Sequence, residues 1–505
     1  MSVETIHPEL VGFLDEYTLI EDCLDGQRTI KEKGTEYLPM PGCVNTIPIL
    51  PTMTDRQKEE AVLVNRHLLS KHRERYRDYL KRAVFYNVAA RTLSGLVGKI
   101  FERAPNVNLP SGLQMLIEDA SGNGTSLEQM TKRAAWYVLG MGRCSLMVDF
   151  PRFEKQEQTK ADLTRNIVRP EIILFDHRTV INWRTKKVNG RNILSMVNIK
   201  EDYVKSDDGF KQEFDIQYKV LRLDDDNVYR IEIWRRSVGE GWSIFEVSTP
   251  IAYNNKPFDH IPFTFIGAED NSPSVDRQPL YDLCELNIAH YINSADHEEA
   301  VHIVGQPTPW VSGLTQEWLD TQMGGVFELG SRAAVPLPEN ATAGVLEVGE
   351  NSLVFAAMEH KEKQMVALGA KLVESKTVQR TATEASFEEA SETSTLHNSA
   401  KNVSAAFLWA LKEAALFMNI PDNDIEFELA SEFDLLRVSS EDIKQMLELS
   451  KADILTTSEF RRVLHSAGWA TLTDEEFAKE IKKQRDLIPP VDNYFDMQAE
   501  KLNEE

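Results

Sequence analysis

A chain of 505 residues exceeds what one ordinary core holds, and 42% apolar residues can fill real cores, so two to four globular domains are expected rather than a disordered polymer. Its 80 acidic against 56 basic residues leave a formal charge of −24, which excludes a protein that grips nucleic acid over its whole surface but not one past which a polyanion slides. Four scattered cysteines (Cys23, Cys43, Cys144, Cys284) with no CxxC pair, and a polar start, predict free thiols in a reducing cytoplasm; with no apolar run of ~18 residues, no membrane span is expected.

In chain order, residues 1–50 read as irregular and end in the proline-punctuated YLPMPGCVNTIPILP. Residues 54–104 read as two helices, since Leu93, Leu96, Val97, Ile100 and Phe101 recur at three- and four-residue steps before Pro105. Ser126 and Gln129 form a capping box for LEQMTKRAAWYVLG, and CSLMVDF alternates as a strand. Between Glu171 and Ala268 the period becomes two, with KSDDGF and LDDDN as hairpin turns, so an antiparallel β region is expected. A helix of more than twenty residues then runs to Gly305 and Pro307, followed by a Gly/Pro-rich block holding PTPWVSG, LTQEWLDTQM, VFELG and GVLEV.

A second helix is expected over about 351–373, then a polar link, then a very long helix over about 383–418 with Thr381 and Glu384 as its capping box. Its seam of small and apolar residues (Ala385, Ala390, Thr393, Leu396, Ala400, Val403, Phe407, Leu411, Ala414, Phe417) would extend roughly 50 Å and suits close packing of subunits. DIEFELASEF reads as one more strand, and the tail as short amphipathic helices.

The stretch HEEAVH (297–302) looks like a zinc-hydrolase helix, but such a helix needs histidines four apart. Val301 holds that position, and His302 comes five after His297, about 140° around the axis. His290 and His297 share a face two turns apart, which alone makes no metal site, so solvated or interface histidines are the plainer reading. SGLVGKI lacks the spacing and hydroxyl of a phosphate loop, and Asp224, Asp225 and Asp226 sit in a turn rather than a two-metal cluster. The basic run 71–82 reads as a solvated helix face with internal charge pairs, with Tyr76 and Tyr79 stacking on bases as the alternative. No cofactor, catalytic or metal set emerges.

Three segments carry a family resemblance: RTLSGLVGKIFERAP, FDHIPFTFIGAEDN, and above all PLYDLCELNIAHYINSADHEEAVHIVGQPTPWVSG. With the order of elements, they make nearly the whole chain resemble the portal proteins, or head-to-tail connectors, of tailed bacteriophages. The resemblance implies an α+β portal fold: a helical/β wing (1–278), stem helices (279–303 and 351–373), a small α/β clip (304–350), a tunnel loop (374–383), a long wing helix with its returning strand (384–438) and an α-helical crown (439–505). It implies a homo-oligomer, a ring usually of twelve, at one capsid vertex of the virion, assembled in the host cytoplasm with major capsid and scaffolding proteins. Double-stranded DNA would be packaged and ejected through the channel, with the terminase large subunit and head-tail adaptor proteins as partners; the portal itself is no enzyme.

Under that resemblance Lys371, Lys376 and Arg380 are the DNA-channel candidates, His290, His297, Glu298 and His302 belong to the stem, and Trp310, Trp318 and Arg332 are candidates for docking at the clip. Twelve copies at −24 would sum to about −288, a wall to which DNA adheres little. The alternatives are another structural or adaptor protein of a phage particle, and a metallohydrolase.

Overall fold

Hydrogen-bonding side chains set where several helices of this chain begin, and breaks in backbone sign set where they end. The computed structural model describes residues 2–42, 47–50, 52–149, 169–188, 190–237, 241–251, 257–305, 308–323, 337–338, 340–346, 352–372 and 394–431, with positions 477, 479, 482 and 483. The chain divides into two compact units, Met1–Ser431 and Glu432–Glu505. In the second unit, the four described residues (Phe477, Lys479, Lys482, Lys483) are helical.

Residues 1–50 are not irregular as expected: α1 (Pro8–Val11), α2 (Leu14–Asp25) and α3 (Gln27–Lys33) occupy much of them. Gly26 and Gly34, at φ 92° and 56°, break the run into pieces too short to show a period, although Tyr17, Ile20, Cys23 and Ile30 are buried. Next come α4 (Asp55–Arg82), capped by a Thr54–Gln57 box, and α5 (Val88–Ile100), the two helices foreseen. SGLVGKI lies inside α5, so no phosphate loop forms there. β1 (Asn106–Asn108) and α6 (Met115–Glu118) lead to α7 (Leu127–Met141). The α7 capping box is present: Gln129 N donates to Ser126 Oγ (3.2 Å) and Ser126 N to Gln129 Oε1 (3.3 Å).

β2 (Arg143–Asp149) is central in an antiparallel sheet β3-β2-β9, with β3 (Glu171–Phe175) and β9 (Phe263–Gly267). Six of its seven residues are buried because α7 and a later helix cover it. Between β3 and β9 runs a five-stranded antiparallel meander: β4 (Val180–Val188), β5 (Arg191–Asp207), β6 (Gln212–Leu223), β7 (Tyr229–Ser237) and β8 (Gly241–Ser248). Asp224 sits in the β6–β7 turn, its Oδ1 accepting from the Asp226 and Val228 amides, and it pairs with Arg230 at 2.9 Å. The aspartate triplet is thus a turn device.

Two antiparallel helices, α8 (Tyr281–Gly305) and α10 (Ser352–Lys371), enclose a small module: β10 (Thr308–Ser312) pairs antiparallel with β11 (Thr342–Leu346), with α9 (Gln316–Met323) between them in sequence. The predicted helix over 383–418 proves shorter. Ser394 has an extended ψ of 150° and its hydroxyl accepts from His397 N, so α11 is Thr395–Met418, about 36 Å long. The proposed start at Thr381 and Glu384, the first seam residues Ala385, Ala390 and Thr393, and the link 374–383 lie outside the described residues.

The seam also faces elsewhere than expected. Leu396, Ala400, Val403, Phe407, Leu411, Ala414 and Phe417 are all buried in their own subunit, where α11 packs on α7, β2 and β9. Intrachain burial of this kind stabilises by about 1.5–3 kcal/mol for each large side chain, so these positions are core and not a seam between copies. After α11, β12 (Glu426–Glu428) pairs antiparallel with β1, Val107 opposite Phe427, joining the end of this unit to the stretch after α5.

Candidate interaction site

FDHIPFTFIGAEDN closes the β region by side-chain clasps. Asn271 Nδ2 donates to Asn402 O and Asn402 Nδ2 to Gly267 O, both at 2.9 Å, so the loop after β9 is tied to α11 twice. Asp276 Oδ2 accepts from Glu269 N at 2.8 Å while lying against Gly267, where any side chain would overlap it. Upstream, His260 bridges Asp259 (2.8 Å) and Glu413 of α11 (3.0 Å), which raises its pKa to about 9.

The polar residues of NIAHYINSADHEE do comparable work on α8. Asn287, fully buried, accepts from the Val88 and Ala89 amides at 3.1 and 3.3 Å and donates to Tyr86 O at 2.9 Å, so it caps α5 from outside. One turn pair further, Ser294 Oγ accepts from Val84 N (3.1 Å) and lies 2.7 Å from Val84 O. Asp296 accepts from the Tyr79 hydroxyl at 2.6 Å, and Glu299 pairs with Arg82 and, at 3.5 Å, with Arg75. α8 therefore holds the 82–89 connection between α4 and α5 by charge and hydrogen bonds.

These contacts decide the fate of the basic run. Tyr76 is buried and donates to Leu38 O at 2.9 Å, and Tyr79 is spent on Asp296, so neither ring can stack on a base. Both phenols sit above their usual pKa because burial disfavours the phenolate.

Of the stem candidates, His290 and His297 face α10. His290 is buried, with Nε2 3.3 Å from Glu362 Oε1; His297 lies 5.8 Å, ring to ring, from Phe355. Each step of seven along α8 is a step of seven back along α10, which fixes the two helices as antiparallel in one register. Burial lowers the His290 pKa against the opposing pull of Glu362, so it is neutral at pH 7. The expectation of a solvated or intersubunit His290 is thereby corrected: the second helix covers it. Glu298 is half-buried, His302 exposed, and the two HEEAVH histidines do not converge. Among the described residues, no group of three or more His, Cys, Asp or Glu side chains could hold a metal ion.

Among its described side chains α10 buries one completely, Met365, and leaves Leu353, Phe355 and Val366 exposed. Lys371 is its last residue. In the small module, Trp310 is exposed and lies over Gly344, where a Cβ would come within 3.0 Å of three indole atoms. Trp318 is half-buried in α9, its amide donating to Thr315 Oγ1 at 3.3 Å. Lys376, Arg380 and Arg332 lie outside the described residues. Sequence reasoning missed Asn287, Ser294, Asp296 and Glu299 as positioning residues. Their only signal was the presence of polar groups along the helix, which does not by itself tell a buried contact from a solvated face.

A family model described as "Domain of unknown function (DUF4055)" matches residues 279–418, which span α8 to the end of α11. No curated protein matches. Among solved structures, the chain is similar at 12% identity and a TM-score of 0.39 to a chain of "Virion of native gene transfer agent (GTA) particle", over 77% of this chain and 92% of that one. It is likewise similar, at 12% identity and a TM-score of 0.41, to a chain of "Neck of empty GTA particle computed with C6 symmetry", over 75% and 90% of the two chains. A chain of "Neck of native GTA particle computed with C12 symmetry" aligns at 12% identity and a TM-score of 0.41, over 75% and 89%.

Proposed function

We propose that this chain is the portal subunit of a phage-like particle, a structural and non-catalytic protein whose copies form a ring around a DNA channel at one capsid vertex. The observation that carries the reading is the antiparallel pair α8 and α10, in one register, enclosing a β10–α9–β11 module and continuing into α11 and β12. That order is the one the family resemblance requires of two stem helices, a clip and a wing.

In this reading the α8–α10 pair lines the channel, and the clip presents Trp310, Trp318 and Arg332 to the terminase and the head-tail adaptors. Lys371, Lys376 and Arg380 lie near the narrowest point and touch phosphates transiently. An overall charge of −24 per copy keeps DNA from adhering to the rest of the wall.

End-on electron microscopy and native mass spectrometry test the reading directly. A ring with a central channel, at about twelve times 57.4 kDa, is expected. A protein that stays monomeric at every concentration, with or without capsid and scaffolding proteins, would sink it. The channel role has its own test: Lys376→Ala with Arg380→Ala should reduce DNA packaging or retention while rings still form, and unchanged packaging would remove these residues from the channel.

A further inference from the structure

Two arms leave the body of the first unit carrying side chains that nothing in the described chain covers. The first is a ribbon. β4 pairs with β5 no further than Ile199, and β7 pairs with β6 no further than Tyr218, whereas β5 and β6 stay paired out to Asp207 opposite Gln212. Arg235 of β7 still reaches Gln217 Oε1 (2.9 Å) and lies 4.1 Å over the Tyr203 ring, so the uncovered two-stranded end is 204–214, roughly 14 Å long and marginal in water by itself. Its cross-strand pair Val204 and Phe214 is exposed, and Phe210 at the tip is completely so.

Hydrogen bonds tie the tip despite its exposure. Asp207 Oδ1 accepts from Gly209 N (2.8 Å) and Oδ2 from Gln212 Nε2 (2.8 Å), and Asp208 Oδ1 accepts from the Phe210 and Lys211 amides (2.9 and 2.6 Å). One aromatic ring is thus presented next to two carboxylates whose hydrogen bonds hold them ionised.

The second arm is α4. Tyr76, Tyr79 and Arg82 anchor its C-terminal end, but of the preceding 21 residues Ala61 alone is buried. Asn65 grips both backbone groups of Ile47 (2.7 and 2.9 Å), which holds exposed Ile47 against the helix; Ile49 and Leu50 in the same stretch and Val62, Leu63, Val64 and Leu69 on α4 are exposed as well. Val62, Arg66, Leu69 and Arg73, at helical spacing, line with Asn65 and Ser70 a groove of about 460 Å³. Neither arginine has a carboxylate partner among the described residues, on a helix with nine basic and five acidic residues in a chain of −24.

The two surfaces are complementary in kind: an aromatic ring flanked by two carboxylates, and an apolar-walled groove flanked by two guanidinium groups. We propose that the β5–β6 ribbon of one copy docks on α4 of a second copy, with Phe210 between Val62 and Leu69 and Asp207 and Asp208 facing Arg66 and Arg73. The apolar walls favour a protein ring over a nucleic-acid phosphate as the occupant. Because the two surfaces differ, the contact is head-to-tail; its closure into a ring rests on the portal reading.

The test uses the full chain and its multimers. Phe210→Glu and the pair Arg66→Glu, Arg73→Glu should each weaken self-association about 30-fold, as loss of a central aromatic anchor does, in sedimentation and native mass, with unchanged circular dichroism. In a Cys43→Ser background, a Phe210→Cys, Leu69→Cys double variant should form a ladder of disulfide-linked multimers that Cys43→Ser alone does not, since Cys23, Cys144 and Cys284 are buried. Rings that persist in both charge variants, or a double-cysteine variant that forms no ladder, overturn this interface while leaving the portal reading standing. A wild-type protein that never multimerises overturns both.

Discussion

Replacing His260 probes how α11 is fastened to the chain that approaches β9. Its imidazole has Nδ1 2.8 Å from Asp259 Oδ1 and Nε2 3.0 Å from Glu413 Oε2. The hydrogen bond to Glu413, opposed by burial and helped by the charges of Glu413 and Asp259, raises its pKa from 6.5 to about 9. At about 1.36 kcal/mol per pH unit the difference sets a ceiling of ~3.4 kcal/mol. The side chain is 35% exposed. Solvent screening therefore reduces the contribution to about 1–2 kcal/mol.

The folded-state value is the raised one, so the stabilisation is complete below pH 6.5 and disappears as pH climbs through about 9. Denaturant unfolding of His260→Gln against wild type should differ by about 1–2 kcal/mol near pH 6 and converge near pH 10. A gap that stayed constant across that range would refute the charged clamp and leave only loss of packing, such as the edge contact with Phe258.

Three further outcomes are expected. Asn287→Ala strands two amides and a carbonyl at the start of α5 and should cost about 2–4 kcal/mol, with faster hydrogen exchange at Val88 and Ala89; unaltered exchange would contradict the external cap. Met365→Ala should cost about 2–5 kcal/mol by equilibrium unfolding, against less than about 0.5 for exposed Leu353→Ala, because Met365 is the buried anchor of α10. Added zinc should shift the melting temperature neither of wild type nor of the His297→Ala, His302→Ala variant, and metal analysis of wild type should find no stoichiometric zinc. A zinc-dependent stabilisation that the variant lost would reinstate the metal reading.

Local chemistry was legible wherever a residue acts on its own neighbours along the chain. The Ser126–Gln129 capping box, the period-two strands between Glu171 and Gly267, the aspartate turn after β6 and the end of α8 near Gly305 need only near-range interactions, and the structure has them all. Short helices at the N-terminus escaped because one or two turns show no period, and their apolar residues find partners far away in sequence. The length of α11 escaped for a related reason. A run of small residues is compatible with helix throughout, and a serine that caps looks like a serine that does not until the extended ψ at 394 is known.

HEEAVH shows the same division. Its five-residue spacing excluded a shared metal face, a matter of helical geometry that sequence alone determines. What the stretch does instead was decided only in the tertiary structure, where Glu299 meets Arg82 and Arg75, and His297 meets Phe355 on a helix more than fifty residues away. Spacing along a helix tells which side chains point together, but the partner that side faces comes from the packing of distant segments, whose pairing no local pattern encodes.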